Sequence, residues 1–339
     1  MNRIYIRADM NNVIATGHIV RCMSIAGAVA YYGGEAVFIG ADSRAADMVC
    51  SNGYRHICLN TKWDDMESET QALIKLIKKE KIRTLLIDSY MVTKYYFDVL
   101  KDYANLIYID DSADEVYSVG GIICYAGYYK KLGLDLKYDE SKLMAGPRYT
   151  PLRREFWDNE KKDVNKNINN ILIMSGGTDP YGFLLKLVNN LDLSKYNCVK
   201  VICGRYYKDM EPLKSFASMH DNIIIINHTG RVKKYMAEAD VVISAGGTTL
   251  YELCACGTPS ISYSMADNQM PNVNQFNEDR LIPYAGDLRK DNVVFNVMTL
   301  LESLCMRYES RIVVSSRMQE LIDGRGAKRI AREILDKFI

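Results

Sequence analysis

The chain has 339 residues, room for two domains of ordinary size. Hydrophobic residues make up 48% and charged residues 25%, the balance of a folded globular protein. A net charge of +1 excludes a broad electrostatic footprint for nucleic acid or a membrane surface, which leaves small ligands and locally charged sites as the expected partners.

The opening residues, MNRIYIRADMNN, lack the long apolar run of a signal peptide, and no segment approaches the roughly 20 apolar residues that span a bilayer. A cytoplasmic location is expected. Short β-branched or Leu-rich runs then alternate with amphipathic ones, the pattern of an α/β protein with parallel sheets and crossover helices. The first strand candidates are IYIRAD, EAVFIG, HICLN, TLLIDSY, LIYIDD and GIIC. Helices are expected between them at residues 19–32, 45–52, 67–80 and 94–103. The third, ESETQALIKLIKKEK, repeats apolar residues at three- and four-residue steps and runs from acidic to basic, as the helix dipole favours.

From about Lys130 to Asn170 the rhythm breaks, ending in WDNEKKDVNKNINN, a charged run expected to be a solvated linker. The expected division is an N-terminal domain over 1–150, a linker over 151–167 and a C-terminal domain over 168–339. The rhythm resumes with NILIMSGG, CVKVICG, NIIIIN, DVVISAGG and SISYS as strands, and helices at 182–190, 210–219, 232–238, 249–256 and 272–279. Three further helices close the chain, the last being GAKRIAREILDKFI. Nine scattered cysteines, an odd number, imply reduced and mostly buried thiols, and Cys254 and Cys256 lack a zinc-like spacing.

The most informative stretch is DVVISAGGTTLYELCACGTPSI, residues 240–261. A strand ends near Ser244, a turn of small residues follows, and a helix begins near Thr248. Gly246 and Gly247 let the backbone approach a ligand at a helix N-terminus, where free N–H groups favour phosphate. Glu252, one turn in, is placed to reach ribose hydroxyls. The alternative is a bare tight turn whose Glu complements the dipole.

The order S-A-G-G-T-T-x-x-E-x-x-x-x-G-x-P, followed by ADNQMPNVNQF, resembles the nucleotide site of the peptidoglycan N-acetylglucosaminyltransferase class of two-domain enzymes. That resemblance implies two Rossmann-like domains facing across a cleft, a glycosyltransferase-B-like fold. It implies diphosphate on the backbone of Gly246, Gly247, Thr248 and Thr249, ribose on Glu252, and the sugar facing Asn268, Gln269 and Asn272. Uracil would meet the backbone near Thr229 and Gly230, with His228 beside them as loop structure. IRADMNNVIATGHIVRCMSIA, IDSYMVTKYYFDVL, IDDSADEVY, MAGPRYTPLRREFW and LIMSGGTDP follow the order of the UDP-2,4-diacetamido-2,4,6-trideoxy-β-L-altropyranose hydrolases of pseudaminic acid biosynthesis, along nearly the whole chain. The Tyr-rich stretch from Ala126 to Asp139 departs from that pattern.

The family reaction breaks the bond between the anomeric carbon and the β-phosphate oxygen with water as nucleophile. It needs a base, and His18 in TGHIVRC, after Gly17 and at a helix start, matches the family's proposed one. A helix N-terminus disfavours imidazolium. The alternative is a His that caps its own helix. Asp9 is expected to orient His18, to bind a sugar hydroxyl or to make a turn; Arg21 meets an anionic group or solvent. Asp88 and Tyr90 close a strand at the sheet end where open α/β proteins bind ligands, with Tyr90 positioning substrate, relaying a proton or simply packing. Asp110 and Asp111 invite a metal reading, weighed below a strand-end Asp111 near the sugar. Thr178, in the turn Ser175–Asp179, takes a phosphate or sugar hydroxyl or belongs to a plain turn.

No cofactor or metal is expected, and the absence of G-x-x-x-x-G-K-[ST] and G-x-G-x-x-G argues against a P-loop or a dinucleotide oxidoreductase. The partner is a UDP-sugar; the oligomeric state stays open. The leading expectation is a UDP-sugar hydrolase, with a UDP-sugar glycosyltransferase and a non-catalytic binding protein as rivals.

Overall fold

A computed structural model describes residues 2–204, 206–227 and 229–339. It divides into two units, Met1–Trp157 with Gly324–Ile339, and Asp158–Asp323. The first holds strands β1 (Arg3–Ala8), β2 (Glu35–Gly40), β3 (Arg55–Cys58), β4 (Thr84–Asp88), β5 (Asn105–Ile109), β6 (Gly121–Cys124) and β7 (Leu143–Ala145). Among the described residues they form one parallel sheet in the order β3-β2-β1-β4-β5-β6-β7. Helices α1 (Gly17–Tyr31), α2 (Ala46–Ser51), α3 (Met66–Glu80), α4 (Lys94–Leu100) and α5 (Leu134–Lys137) come from the connections. Ile4, Ile6, Leu85, Leu86 and Ile87 are wholly buried, so the central strands are apolar on both faces rather than alternating. The periodic helix α3 is capped by Asp65, which accepts the Ser68 N–H at 3.2 Å, and buries Leu73, Ile74 and Ile77.

The second unit holds β8 (Asn170–Met174), β9 (Cys198–Cys203), β10 (Ile223–Asn227), β11 (Val241–Ala245), β12 (Ser260–Ser264) and β13 (Tyr284–Asp287), again parallel, in the order β10-β9-β8-β11-β12-β13. Its helices are α6 (Phe183–Asn190), α7 (Met210–Ala217), α8 (Val232–Glu238), α9 (Thr249–Cys256), α10 (Met270–Glu278), α11 (Val293–Met306) and α12 (Tyr308–Leu321). The strands β7 and β13 were absent from the sequence reading: β7 has three residues, and β13, YAGD, pairs through an irregular register with Gly286 at φ 115°. Of the nine cysteines, all free, Cys50 and Cys305 are exposed and five are buried.

The expected 150/168 division differs from the observed one in two ways. The charged run is folded rather than a free linker: Phe156 and Trp157 are buried in the first unit. Beyond them, Asp240 accepts hydrogen bonds from Asn165 Nδ2 and the Asn169 and Asn170 amides, while the buried Arg311 donates to the Asn165 and Lys166 carbonyls. The last helix, α13 (Gly326–Lys337), belongs to the first unit, where its Ala327, Ile330, Ala331 and Ile334 are buried and it packs against α1. Only glycine fits where it starts, since a Cβ on Gly326 would stand 2.2 Å from the Thr150 carbonyl oxygen.

Candidate functional site

The sheet register of the first unit gathers polar side chains at one strand end. Ala8 pairs with Asp88, and Asp110 and Asp111 directly follow β5. This is the end at which parallel α/β sheets hold ligands. His18 is the second residue of α1 and is buried, yet it does not cap the helix: its Nδ1 lies 2.6 Å from Asp88 Oδ1. Arg21, one turn on, donates from Nε to Asp88 Oδ2 at 2.6 Å and from Nη2 to Oδ1 at 2.5 Å. Its Nη1 reaches Tyr125 Oη at 2.8 Å and Asp111 Oδ2 at 3.2 Å, and Tyr90 donates to that same Asp111 oxygen at 3.2 Å. The Tyr90 ring stands edge-on to the imidazole, centroids 4.8 Å apart.

Burial works against the Asp88 carboxylate, but the Arg21 guanidinium and then His18 outweigh it and hold the carboxyl well below the usual range. Asp88 is therefore an acceptor, and the hydrogen-bond network puts the imidazole proton on Nδ1. Arg21 Nη2 comes within 3.1 Å of Nδ1 because both donors aim at one oxygen. Among the described residues nothing pairs with Nε2, which is left as the proton acceptor. Carboxylate, imidazole and free ring nitrogen thus repeat the orienting logic of a hydrolytic triad without its nucleophile. Burial pushes the Tyr125 phenol up to about 12 and Tyr90 higher still, so both stay protonated donors.

One expectation is corrected here. Asp9 does not meet His18: Oδ2 takes Arg7 Nη1 at 2.5 Å and Oδ1 takes the Ala41 amide at 2.8 Å. Arg7, two residues earlier and on the same strand face, is wholly buried and needs counter-charge, which Glu69 supplies through two hydrogen bonds of 2.6 and 2.8 Å. Nor do Asp110 and Asp111 act as a pair. Asp110 Oδ1 holds the turn through the Ser112 and Ala113 amides, and burial pushes its carboxyl up, whereas Asp111 faces Arg21 and Tyr90. Gly17 is exposed, with open space where a Cβ would stand. The sequence reading missed Tyr125, the Arg21 partner, which lies at the edge of the Tyr-rich stretch.

In the second unit, β11 leads into the turn before α9. A Cβ on Gly246 would stand 2.2 Å from Val273 Cγ1, and its N–H is held by the Tyr263 carbonyl, so Gly246 is a packing residue rather than a ligand contact. The Gly247 N–H turns back to Ala245 O at 2.9 Å, with open space around its α-carbon. The Thr248 and Thr249 amides meet no acceptor among the described residues and form the anion-ready end of α9. Glu252 lies half-buried in that first turn. Asn268 is exposed, Gln269 Oε1 accepts the Met265 amide at 2.9 Å, and Asn272 Oδ1 accepts Tyr251 Oη at 2.8 Å. These bonds leave the two amide NH2 groups as donors.

Thr229 Oγ1 accepts the Arg231 amide at 3.0 Å beside the exposed Gly230, and His228 lies outside the described residues. Thr178 is exposed in the turn after β8, adjacent in the sheet to β11. Asp179 there is a helix cap, its carboxylate taking the Phe183 and Leu184 amides at 2.9 and 2.8 Å.

Residues 171–280 match the glycosyltransferase family 28 C-terminal domain. The match runs from β8 through α10 and contains the Gly246–Glu252 turn. Among curated proteins, the UDP-2,4-diacetamido-2,4,6-trideoxy-β-L-altropyranose hydrolase of Campylobacter jejuni is 24% identical over 53% of this chain and 65% of its own. A Campylobacter jejuni UDP-N-acetylglucosamine–N-acetylmuramyl-(pentapeptide) pyrophosphoryl-undecaprenol N-acetylglucosamine transferase is 27% identical over 55% and 53%. The chain spans about half to two thirds of the length of these relatives. Among solved structures, MurG of Acinetobacter baumannii aligns over 99% of this chain and 100% of its own, with a TM-score of 0.70 at 11% identity. The fold is that of the GT-B glycosyltransferases, and its second unit carries the stretch similar to the glycosyltransferase family 28 C-terminal domain. No helix among the described residues is long and apolar enough to cross a membrane.

Proposed function

We propose that the protein is a metal-independent UDP-sugar hydrolase, acting on UDP-2,4-diacetamido-2,4,6-trideoxy-β-L-altropyranose or a close relative in pseudaminic acid biosynthesis. The observation that carries this is the His18–Asp88 pair, in which Asp88 holds Nδ1 and Nε2 has no partner among the described residues. Nε2 takes a proton from water as the water oxygen bonds to the anomeric carbon. The bond from that carbon to the β-phosphate oxygen breaks, and its electron pair leaves with UDP. Asp88 balances the imidazolium that forms, a role worth roughly 10²–10⁴ in rate for a positioned base. Thr248 and Thr249 amides take the diphosphate, Glu252 the ribose, and the backbone near Thr229 and Gly230 the uracil. On the first unit Arg21, Asp111 and Tyr90 are the polar groups for the sugar, and on the second unit Asn268, Gln269, Asn272 and Thr178 are donors for it.

The test is UDP release from that UDP-sugar in oxygen-18 water, with a chelator and no acceptor. Label on the sugar is expected; label on phosphate, or no UDP, rejects the reading. His18→Ala is expected to bind UDP and lose turnover, and normal turnover would remove His18 from the base role. The transferase relative favours a second reading, a glycosyltransferase with a sugar or lipid acceptor. It predicts UDP release only when an acceptor hydroxyl is added.

A further inference from the structure

At the far end of α1 from His18, thirteen residues along the helix or about 20 Å away, the first unit carries a cavity of about 580 Å³. Six of its lining side chains are cationic, Arg148, Arg325, Lys328, Arg329, Arg332 and Lys337, against the acidic Glu333 and Asp336. The local excess of four positive charges exceeds the +1 of the entire chain. Glu333 is already committed to Lys337 at 2.7 Å. Lys328 has no carboxylate partner among the described residues and sits over two aromatic rings, 4.5 Å from the Tyr31 centroid and 4.9 Å from that of Trp157. Arg148 and Arg332 likewise lie over Tyr149 and Tyr32.

Like charges gathered around a concavity repel one another unless an anion joins them. The arrangement is held in place rather than left to drift. Gly326 seats the start of α13 against Thr150, which sets Arg325, Lys328, Arg329 and Arg332 along one helix face beside Arg148. Arg329 donates to the Arg148 carbonyl at 2.8 Å, locking the two walls together. The volume falls within the roughly 300–1,000 Å³ of small-molecule sites. Tyr31, 59% exposed, offers a flat apolar face beside the cations.

From this geometry we infer that the cavity is a second ligand site, which binds a small phosphorylated molecule with phosphate on the Lys328, Arg332 and Arg148 side and a planar group on Tyr31. It shares no lining residue with the His18 cluster or with the turn before α9. The test is calorimetric titration of the full-length protein with inorganic pyrophosphate and with AMP, comparing Lys328→Ala, Arg332→Ala, Tyr31→Ala and the charge-keeping Lys328→Arg, each checked by thermal melting.

A saturable site is expected whose affinity drops about tenfold or more in Lys328→Ala and Arg332→Ala, the loss of one charged hydrogen bond, and survives in Lys328→Arg. Tighter AMP binding that is lost in Tyr31→Ala identifies a nucleotide; equal binding of both probes identifies phosphate alone, and either supports the site. Isotherms unchanged by the alanine variants overturn it. So does a protein that ignores both probes at millimolar concentration yet binds vesicles of anionic lipid through these residues.

Discussion

Replacing Asp88 with Asn tests the central assignment, because it exchanges a single oxygen for an NH2 group on a side chain that is 1% exposed. Four donors converge on its two oxygens: His18 Nδ1 and Arg21 Nη2 on Oδ1, and Arg21 Nε and, at 3.5 Å, Cys22 Sγ on Oδ2. An amide offers one oxygen. If it faces His18, its NH2 group opposes Arg21 Nε; if it turns round, its NH2 group faces Nδ1, drives the proton to Nε2 and removes the base. Loss of the corresponding carboxylate in a serine protease triad costs about 10⁴ in kcat through the wrong tautomer, so a fall of roughly 10²–10⁴ is expected here. Breaking a buried pair costs about 3–5 kcal/mol; the lower end applies because Arg21 keeps Asp111 and Tyr125. At about 2–4 °C per kcal/mol for a unit of this size, the melting temperature should fall by roughly 6–12 °C.

The readouts are UDP release from the UDP-sugar below the melting range, urea unfolding, and stability against pH. Because the folded carboxyl titrates below its unfolded value of about 3.9, its contribution is fully present above that pH and fades as pH falls toward the folded value. The Asn variant should thus lose less stability than the parent between about pH 4 and pH 2. A variant with kcat within about threefold of the parent and an unchanged melting temperature would refute both the tautomer argument and the buried-pair argument.

Glu69→Gln should cost about 3–5 kcal/mol in urea unfolding, since the wholly buried Arg7 loses its two-bonded partner, while kcat of the folded protein holds. A fall in kcat with stability intact would return Asp9 and its cluster to the active site. At the second unit's turn, Gly246→Ala must displace Val273 and should destabilise by about 1–3 kcal/mol, whereas Gly247→Ala should leave stability within about 0.5 kcal/mol and raise KM for the UDP-sugar. Melting curves and steady-state kinetics separate the two, and the opposite pattern would reverse the assignment of packing and ligand contact.

The parallel sheets were legible because their strands are continuous apolar runs between amphipathic helices, a pattern local to each ten or fifteen residues. What escaped lacked such a local signal. β7 is too short for periodicity, and β13 contains a glycine at positive φ. The charged run after Trp157 looks solvated in one dimension, because its stability comes from Asp240 and Arg311, about 75 and 145 residues away. The last helix reads as the end of the second domain on chain order alone, and only its buried stripe against α1 assigns it to the first.

The candidate site divides along the same line. His18 and Thr248 are marked by what surrounds them locally, a strand, a small-residue turn and a helix start, so spacing singled them out. Their partners are not so marked: His18 meets Asp88 across 70 residues, Arg21 meets Asp111 across 90, and Arg7 meets Glu69 across 62. Asp9 shows the consequence. At the end of β1 it has the local signature of a site carboxylate, yet the buried guanidinium two residues before it claims the charge. Net charge hides information in the same way, because the total of +1 contains a cavity with a local excess of four. For a buried ionisable group, then, the sequence gives the chemistry on offer, and the long-range partner decides whether that chemistry is spent on the fold, as at Asp9, or left with one free atom, as at His18.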